Sequence, residues 1–80
     1  MKHEPVIVYS STGCSYCAKI KSDLESWNIP FEERNVTNND DYFKELESRG
    51  IYSVPTTIIG EEAVVGYRPN KMKALLGISL

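Results

Sequence analysis

Two cysteines stand two residues apart in Cys14-Ser15-Tyr16-Cys17, and they are the only two in the 80-residue chain. A pair at this spacing can pass between dithiol and disulfide, which makes thiol–disulfide redox the chemistry to weigh first. A short apolar run, Val6-Ile7-Val8-Tyr9, precedes it. Ile20, Leu24 and Trp27 follow at spacings of four and three, the period of a helix face. The pair therefore falls where a buried strand turns into a helix. There, unpaired N–H groups and the positive end of the helix dipole favour a Cys14 thiolate. A free cysteine titrates near ~8.5, and such a setting lowers that to roughly 3.5–7.5. Cys17, one turn later, is placed to attack a mixed disulfide formed on Cys14. Gly13 lets the chain turn tightly and leaves room beside Cys14 for a bulky disulfide partner.

Two blander readings compete. A pair of inert thiols is disfavoured because spacing, strand and helix all agree. Tetrahedral zinc wants four ligands, and beyond the two sulfurs the chain offers only His3, so no metal is expected.

The totals narrow the classes further. Eighty residues make one domain, spanning 1–80, that buries only about 60% of its unfolded surface. A hydrophobic fraction of 41% and a charged fraction of 25% are near the globular average, which argues against disorder. A net charge of −2 gives no basic footprint for nucleic acid. No apolar run approaches the ~20 residues a membrane span needs. Met1-Lys2-His3-Glu4-Pro5 has no signal-peptide core, so the protein is expected to be cytoplasmic. In a reducing compartment two close cysteines are more often catalytic than structural, and the loop they close is too small to add much stability.

The elements that position the pair follow from turn and periodicity signals. Residues 5–9 read as a central parallel strand, apolar on both faces. Ser10-Ser11-Thr12-Gly13 turns into a helix from Ser15 to Trp27, ended by Asn28-Ile29-Pro30. Phe31 to Val36 reads as a polar edge strand. A second helix runs from Asp40 to Arg49, with Tyr42, Phe43 and Leu46 on its apolar side and Gly50 as its stop. Thr56-Thr57-Ile58-Ile59 and Ala63-Val64-Val65 form a hairpin around Gly60-Glu61-Glu62. A last helix starts at Pro69 and ends at Gly77. The order is β-α-β-α-β-β-α, an α/β fold with a four-stranded mixed sheet flanked by three helices. Its first two strands should be parallel.

This order, with Cys14-Ser15-Tyr16-Cys17 after the first strand and Val54-Pro55-Thr56 before the third, resembles the glutaredoxin branch of the thioredoxin-like fold. The resemblance implies that Pro55 is cis and lies against the redox pair. A cis proline there exposes the Val54 backbone to an extended thiol substrate. Cys-Ser-Tyr-Cys looks like a dithiol glutaredoxin. Gly66-Tyr67-Arg68-Pro69-Asn70 looks more like the NrdH-redoxins, which take electrons from thioredoxin reductase and supply ribonucleotide reductase. Glutathione-using members usually carry two glycines and then an acid there, and a cation three residues before the first cysteine. This chain has Tyr67, Pro69-Asn70 and Ser11 instead. Charge-assisted hydrogen bonds are worth ~1.5–3 kcal/mol each, so the missing pair should weaken glutathione.

The resemblance thus implies an enzyme: a thiol–disulfide oxidoreductase working through Cys14 and Cys17 on protein disulfides or mixed disulfides. Gly13, Ser15, Tyr16, Val54, Pro55, Gly66, Tyr67 and Arg68 are its expected thiol-contacting residues. It binds no cofactor of its own; glutathione, or thioredoxin reductase with NADPH, supplies electrons. Expected partners are a disulfide-bearing protein, with ribonucleotide reductase a candidate, and a reductase or small thiol. A monomer is the default for a shuttle that docks with two partners in turn. The alternative, of a different class, is a [2Fe–2S] scaffold held between two monomers by the first cysteines and two glutathiones. Tyr16 either caps the motif or shapes substrate contact. Tyr67 and Arg68 either hold the last helix or dock a partner, and Arg68 can also favour the Cys14 thiolate. Trp27 reads as core or helix-end packing. Lys19, Lys21 and the acids Glu32, Glu33, Asp40, Asp41, Glu45 and Glu47 read as solvated surface.

Overall fold

A computed structural model describes residues 5–77; His3 lies outside them. The chain runs β1 (Val6–Ser10), α1 (Ser15–Ser26), β2 (Glu32–Asn35), α2 (Asp40–Ser48), β3 (Thr56–Ile59), β4 (Glu62–Val65) and α3 (Pro69–Leu76). The sheet order is β2-β1-β3-β4. β1 and β2 are parallel, and β3 is antiparallel to both β1 and β4. This is the expected α/β architecture, with the polar strand at an edge as its composition requires.

Alternation along β1 splits the core into two layers. Val6 and Val8 pack with Ile20 and Leu24 of α1 and Met72 and Leu76 of α3. Tyr9 faces the other way, with Ile58 and Leu46 of α2. So α1 and α3 cover one face of the sheet and α2 the other. Each buried aliphatic side chain contributes about 1.5–3 kcal/mol, so both layers are needed in so short a chain.

The boundaries differ from expectation by a residue or so. β1 starts at Val6, and α2 ends at Ser48 with Arg49 as its cap. β4 begins at Glu62, which pairs with Ile59, so the turn is Gly60-Glu61 alone. Phe43 is exposed instead of lining the core; Tyr42 and Leu46, one turn apart, do that work. Asn28, with φ 59, takes the left-handed position after α1 that asparagine tolerates. Trp27 caps α1 and packs against the core, with the Lys73 ammonium over its ring.

Among the described residues no helix is long and apolar enough to cross a membrane.

Candidate active site

Cys14 and Cys17 are joined as a disulfide, with Cα atoms 5.3 Å apart. Cys14 is the N-cap of α1. Its backbone is extended (φ −88, ψ 110), and its Sγ accepts the Cys17 N–H at 3.1 Å. A sulfur therefore occupies the place where a serine or aspartate oxygen normally caps a helix. The four residues Ser11–Cys14 close a turn through the Cys14 N–H, which donates to the Ser11 carbonyl. Gly13 sits in that turn at φ +81, and a Cβ there would meet nothing within 4 Å. Its requirement is conformational: a left-handed backbone that other residues adopt at a cost. The two sulfurs are unequal. Cys14 is half-buried, whereas Cys17 is 2% exposed on the inner side of α1.

Sheet register brings the second segment to the same end of the molecule. Tyr9 at the end of β1 pairs with Thr56, the first residue of β3, and Thr56 pairs with Val65. Pro55 therefore stands beside the turn that leads to Cys14. The Val54–Pro55 bond is cis, as the resemblance implied. The Gly66 N–H donates to the Pro55 carbonyl at 2.8 Å, which fixes the start of the 66–68 segment there. Among the described residues the Val54 main-chain groups have no hydrogen-bond partner.

A network behind the turn holds it. The buried Ser10 hydroxyl donates to Glu33, which also receives Lys21 at 2.9 Å. These bonds, that of Lys21 first, hold the Glu33 carboxyl below its usual range. Thr12 N–H donates to the Thr37 hydroxyl, and Asn35 accepts from the Thr37 and Asn38 N–H groups. Lys21 and Glu33 are thus partnered rather than merely solvated.

Beside the disulfide, the Tyr16 and Tyr67 rings stack with centroids 5.9 Å apart and planes at 26°. The Tyr67 hydroxyl donates to Asp23 at 2.7 Å, tying the 66–68 segment to α1. That bond raises the Tyr67 pKa above 10.0, because ionisation would set two negative oxygens together. Lys19 lies over both rings, 5.5 Å from Tyr16 and 6.0 Å from Tyr67. Sequence reasoning placed Tyr16 and Tyr67 near the site but missed Asp23 and left Lys19 to solvent. The Tyr67–Asp23 contact crosses 44 positions, so no local pattern announces it. Arg68 is exposed at the N-cap of α3 and makes no side-chain cap bond; no ion pair joins it to the site among the described residues. Ser15 is exposed at the first turn of α1.

A mixed four-stranded sheet with helices on both faces, carrying a disulfide-forming Cys-x-x-Cys pair at the first helix N-terminus, defines a thioredoxin-like thiol–disulfide oxidoreductase. Comparison with known proteins gives the branch. The sequence matches the glutaredoxin family over residues 6–64, and the chain belongs to that family. The glutaredoxin-like protein NrdH of Lactococcus lactis is 27% identical over 70 residues, covering 88% of this chain and 97% of its own. Among solved structures, a mutant of the thioredoxin-like protein BC3987 superposes with a TM-score of 0.87 at 31% identity, over 99% of this chain and 100% of the other. The glutaredoxin-like NrdH-redoxin of Escherichia coli superposes with a TM-score of 0.81 at 25% identity, over 89% and 93%. That protein is described as having a thioredoxin-like activity profile.

Proposed function

We propose that the chain is a dithiol electron carrier that reduces disulfides in protein substrates and is itself reduced by thioredoxin reductase with NADPH. The observation that carries this reading is the inequality of the two sulfurs. Cys14 is only half-buried and caps a helix; Cys17 is buried one turn below it. In the reduced protein the same N–H groups favour the Cys14 thiolate. That thiolate attacks one sulfur of the substrate disulfide, forming a Cys14 mixed disulfide and releasing the other sulfur as a thiolate. Cys17 loses its proton to solvent or to the departing thiolate and attacks the Cys14 sulfur. The substrate leaves as a dithiol; the two electrons it gained come from the Cys14 and Cys17 thiols, which are left oxidised as the Cys14–Cys17 disulfide.

The remaining site residues have supporting roles. Gly13 and Ser15 shape the turn and the first helical residue beside Cys14. The open main chain of Val54, before cis-Pro55, is suited to pair with an extended substrate segment as an added strand. Tyr67 stacks on Tyr16 beside the redox pair, and its chain neighbours Gly66 and Arg68 flank it as further contacts for the substrate. Similarity to NrdH proteins supports thioredoxin reductase as reductant and ribonucleotide reductase as a candidate acceptor. Ser11 and Asn70 argue the same way, since neither supplies a charge for glutathione. The working form is a cytoplasmic monomer of one domain.

The test is reduction of the oxidised protein by thioredoxin reductase and NADPH, beside glutathione with its own reductase. Fast reduction by the first system and slow by the second is expected. The reverse would overturn the choice of reductant. Cys17→Ser should accumulate the mixed disulfide, visible by mass spectrometry; wild-type turnover in that variant would overturn the dithiol mechanism.

A further inference from the structure

Lys19 is an unusual helix lysine. Asp23, four residues on, is its natural ion-pair partner on the same face. Yet Asp23 accepts the Tyr67 hydroxyl instead, and Lys19 makes no ion pair among the described residues. Its ammonium lies over the stacked Tyr16 and Tyr67 rings. Ring faces attract a cation without neutralising it. The N–H groups of Lys19 therefore remain available for a carboxylate, and the position is beside the redox pair, since Tyr16 lies between the two cysteines. Lys21 and Arg34, in contrast, are already engaged by Glu33 and by Glu32 and Glu45.

Building on the oxidoreductase reading above, we propose that Lys19, seated on Tyr16 and Tyr67, receives an acidic side chain of the polypeptide substrate. The geometry sets its place. Lys19 is five residues beyond Cys14, about 7.5 Å along a helix axis. An extended peptide rises about 3.3 Å per residue, so the acid lies at least two or three residues from the attacked cysteine. Exposed apolar surface suits a polypeptide more than a small thiol: Tyr16 is 54% exposed and Tyr52, shortly before Pro55, is 68% exposed. Tyr67 acts as a positioning residue, because its bond to Asp23 draws that carboxylate away from Lys19.

The test is single-turnover reduction of matched disulfide-bridged peptides by the pre-reduced, desalted protein. The peptides carry Glu, Gln or Lys two residues from one cysteine, and neutral 2-hydroxyethyl disulfide runs beside them. The Glu peptide should react about two- to five-fold faster than the Gln peptide at low salt, the effect of one exposed ion pair. The advantage should fade at high salt, vanish in Lys19→Gln and invert in Lys19→Glu. Tyr67→Phe, which keeps the ring and releases Asp23, should reduce the advantage, and adding Asp23→Asn should restore it. Equal rates for the Glu and Gln peptides in the wild type, or an advantage that survives Lys19→Gln, would overturn the proposal. An unaltered advantage in Tyr67→Phe would overturn the role given to Asp23. If Lys19→Gln slows only a glutathione mixed disulfide on a neutral peptide, the carboxylate recognised is glutathione's and the polypeptide assignment falls. If neither peptide nor 2-hydroxyethyl disulfide is reduced, the oxidoreductase reading itself fails; if only the acidic preference is missing, that reading stands.

Discussion

Arg34 and Lys19 each lie over two tyrosine rings, on opposite sides of the sheet, and they are finished differently. Arg34 of β2 sits over Tyr9 and Tyr42, 5.9 and 5.7 Å from the ring centroids. Its Nε donates to Glu32 and its Nη1 donates to Glu45 and the Tyr9 hydroxyl. Tyr9 also donates to Glu45 at 2.8 Å. Edge strand, central strand and α2 are thereby clasped together, and the cation has carboxylates on hand. Lys19 likewise sits over two rings but has no carboxylate partner among the described residues, and Asp23, four residues on, accepts the Tyr67 hydroxyl. A cation with its charge met inside the fold is a fastener. A cation seated but unmet, beside the redox pair, is a surface waiting for a partner. The same residue types thus serve stability on one face and recognition on the other.

Substitutions at the redox end and in the clasp should separate cleanly. The largest effect belongs to Cys14→Ser, which removes the nucleophile and should drop turnover to the uncatalysed background while leaving the urea midpoint nearly unchanged. Next comes Arg34→Met, which removes the bonds to Glu32, Glu45 and the Tyr9 hydroxyl and leaves only the Tyr9–Glu45 bond of the clasp. It should cost about 1–3 kcal/mol in urea unfolding, the range for losing hydrogen bonds to charged groups. Its single-turnover rate should stay near wild type. Lys19→Gln should do the opposite, with stability within about 0.5 kcal/mol of wild type and loss of the acidic-substrate preference. Rate loss in Arg34→Met equal to that in Lys19→Gln would erase the contrast.

The pH dependence is a finer test of the network behind the redox turn. Lys21 and Ser10 hold the folded Glu33 carboxyl below the 4.5 it has when free. Arg34 does the same for Glu32. The unfolded chain then binds more protons, so this contribution is complete above the unfolded value and is lost as pH falls through the folded one. Urea midpoints taken downward from about pH 6 should fall less steeply in Glu33→Gln than in wild type. At the alkaline end the sign reverses. Tyr9 is raised above 10.0, first by burial and then by its bond to Glu45, so what it contributes is lost as pH climbs past that value.

Much of this was legible in the sequence because local signals agreed. The cysteine spacing, the strand before it and the helix period after it placed the redox pair. Asn28, Gly50, Pro69 and Gly77 marked helix ends that the backbone reproduces. The polar run Glu32–Asn35 gave the edge strand. What escaped were contacts between distant segments. Glu33 and Glu45 read as solvated because nothing near them in sequence reveals Ser10 or Tyr9 as partners. Phe43 was placed inward because it adjoins Tyr42, and helical geometry can bury only one of two neighbours on a narrow face. The link from Tyr67 to Asp23 depends on how α3 and α1 share one side of the sheet, which periodicity does not encode.

If α1 begins at one sulfur of the disulfide and buries the other, the two should have different tasks. The direct measurement is the rate of alkylation of the reduced protein by iodoacetamide as a function of pH, resolved to each cysteine by mass spectrometry. Cys14 should react first, with a midpoint well below the ~8.5 of a free cysteine, and Cys17 should be protected. Equal reactivity of Cys17, or a Cys14 midpoint at or above that of a free thiol, would contradict it.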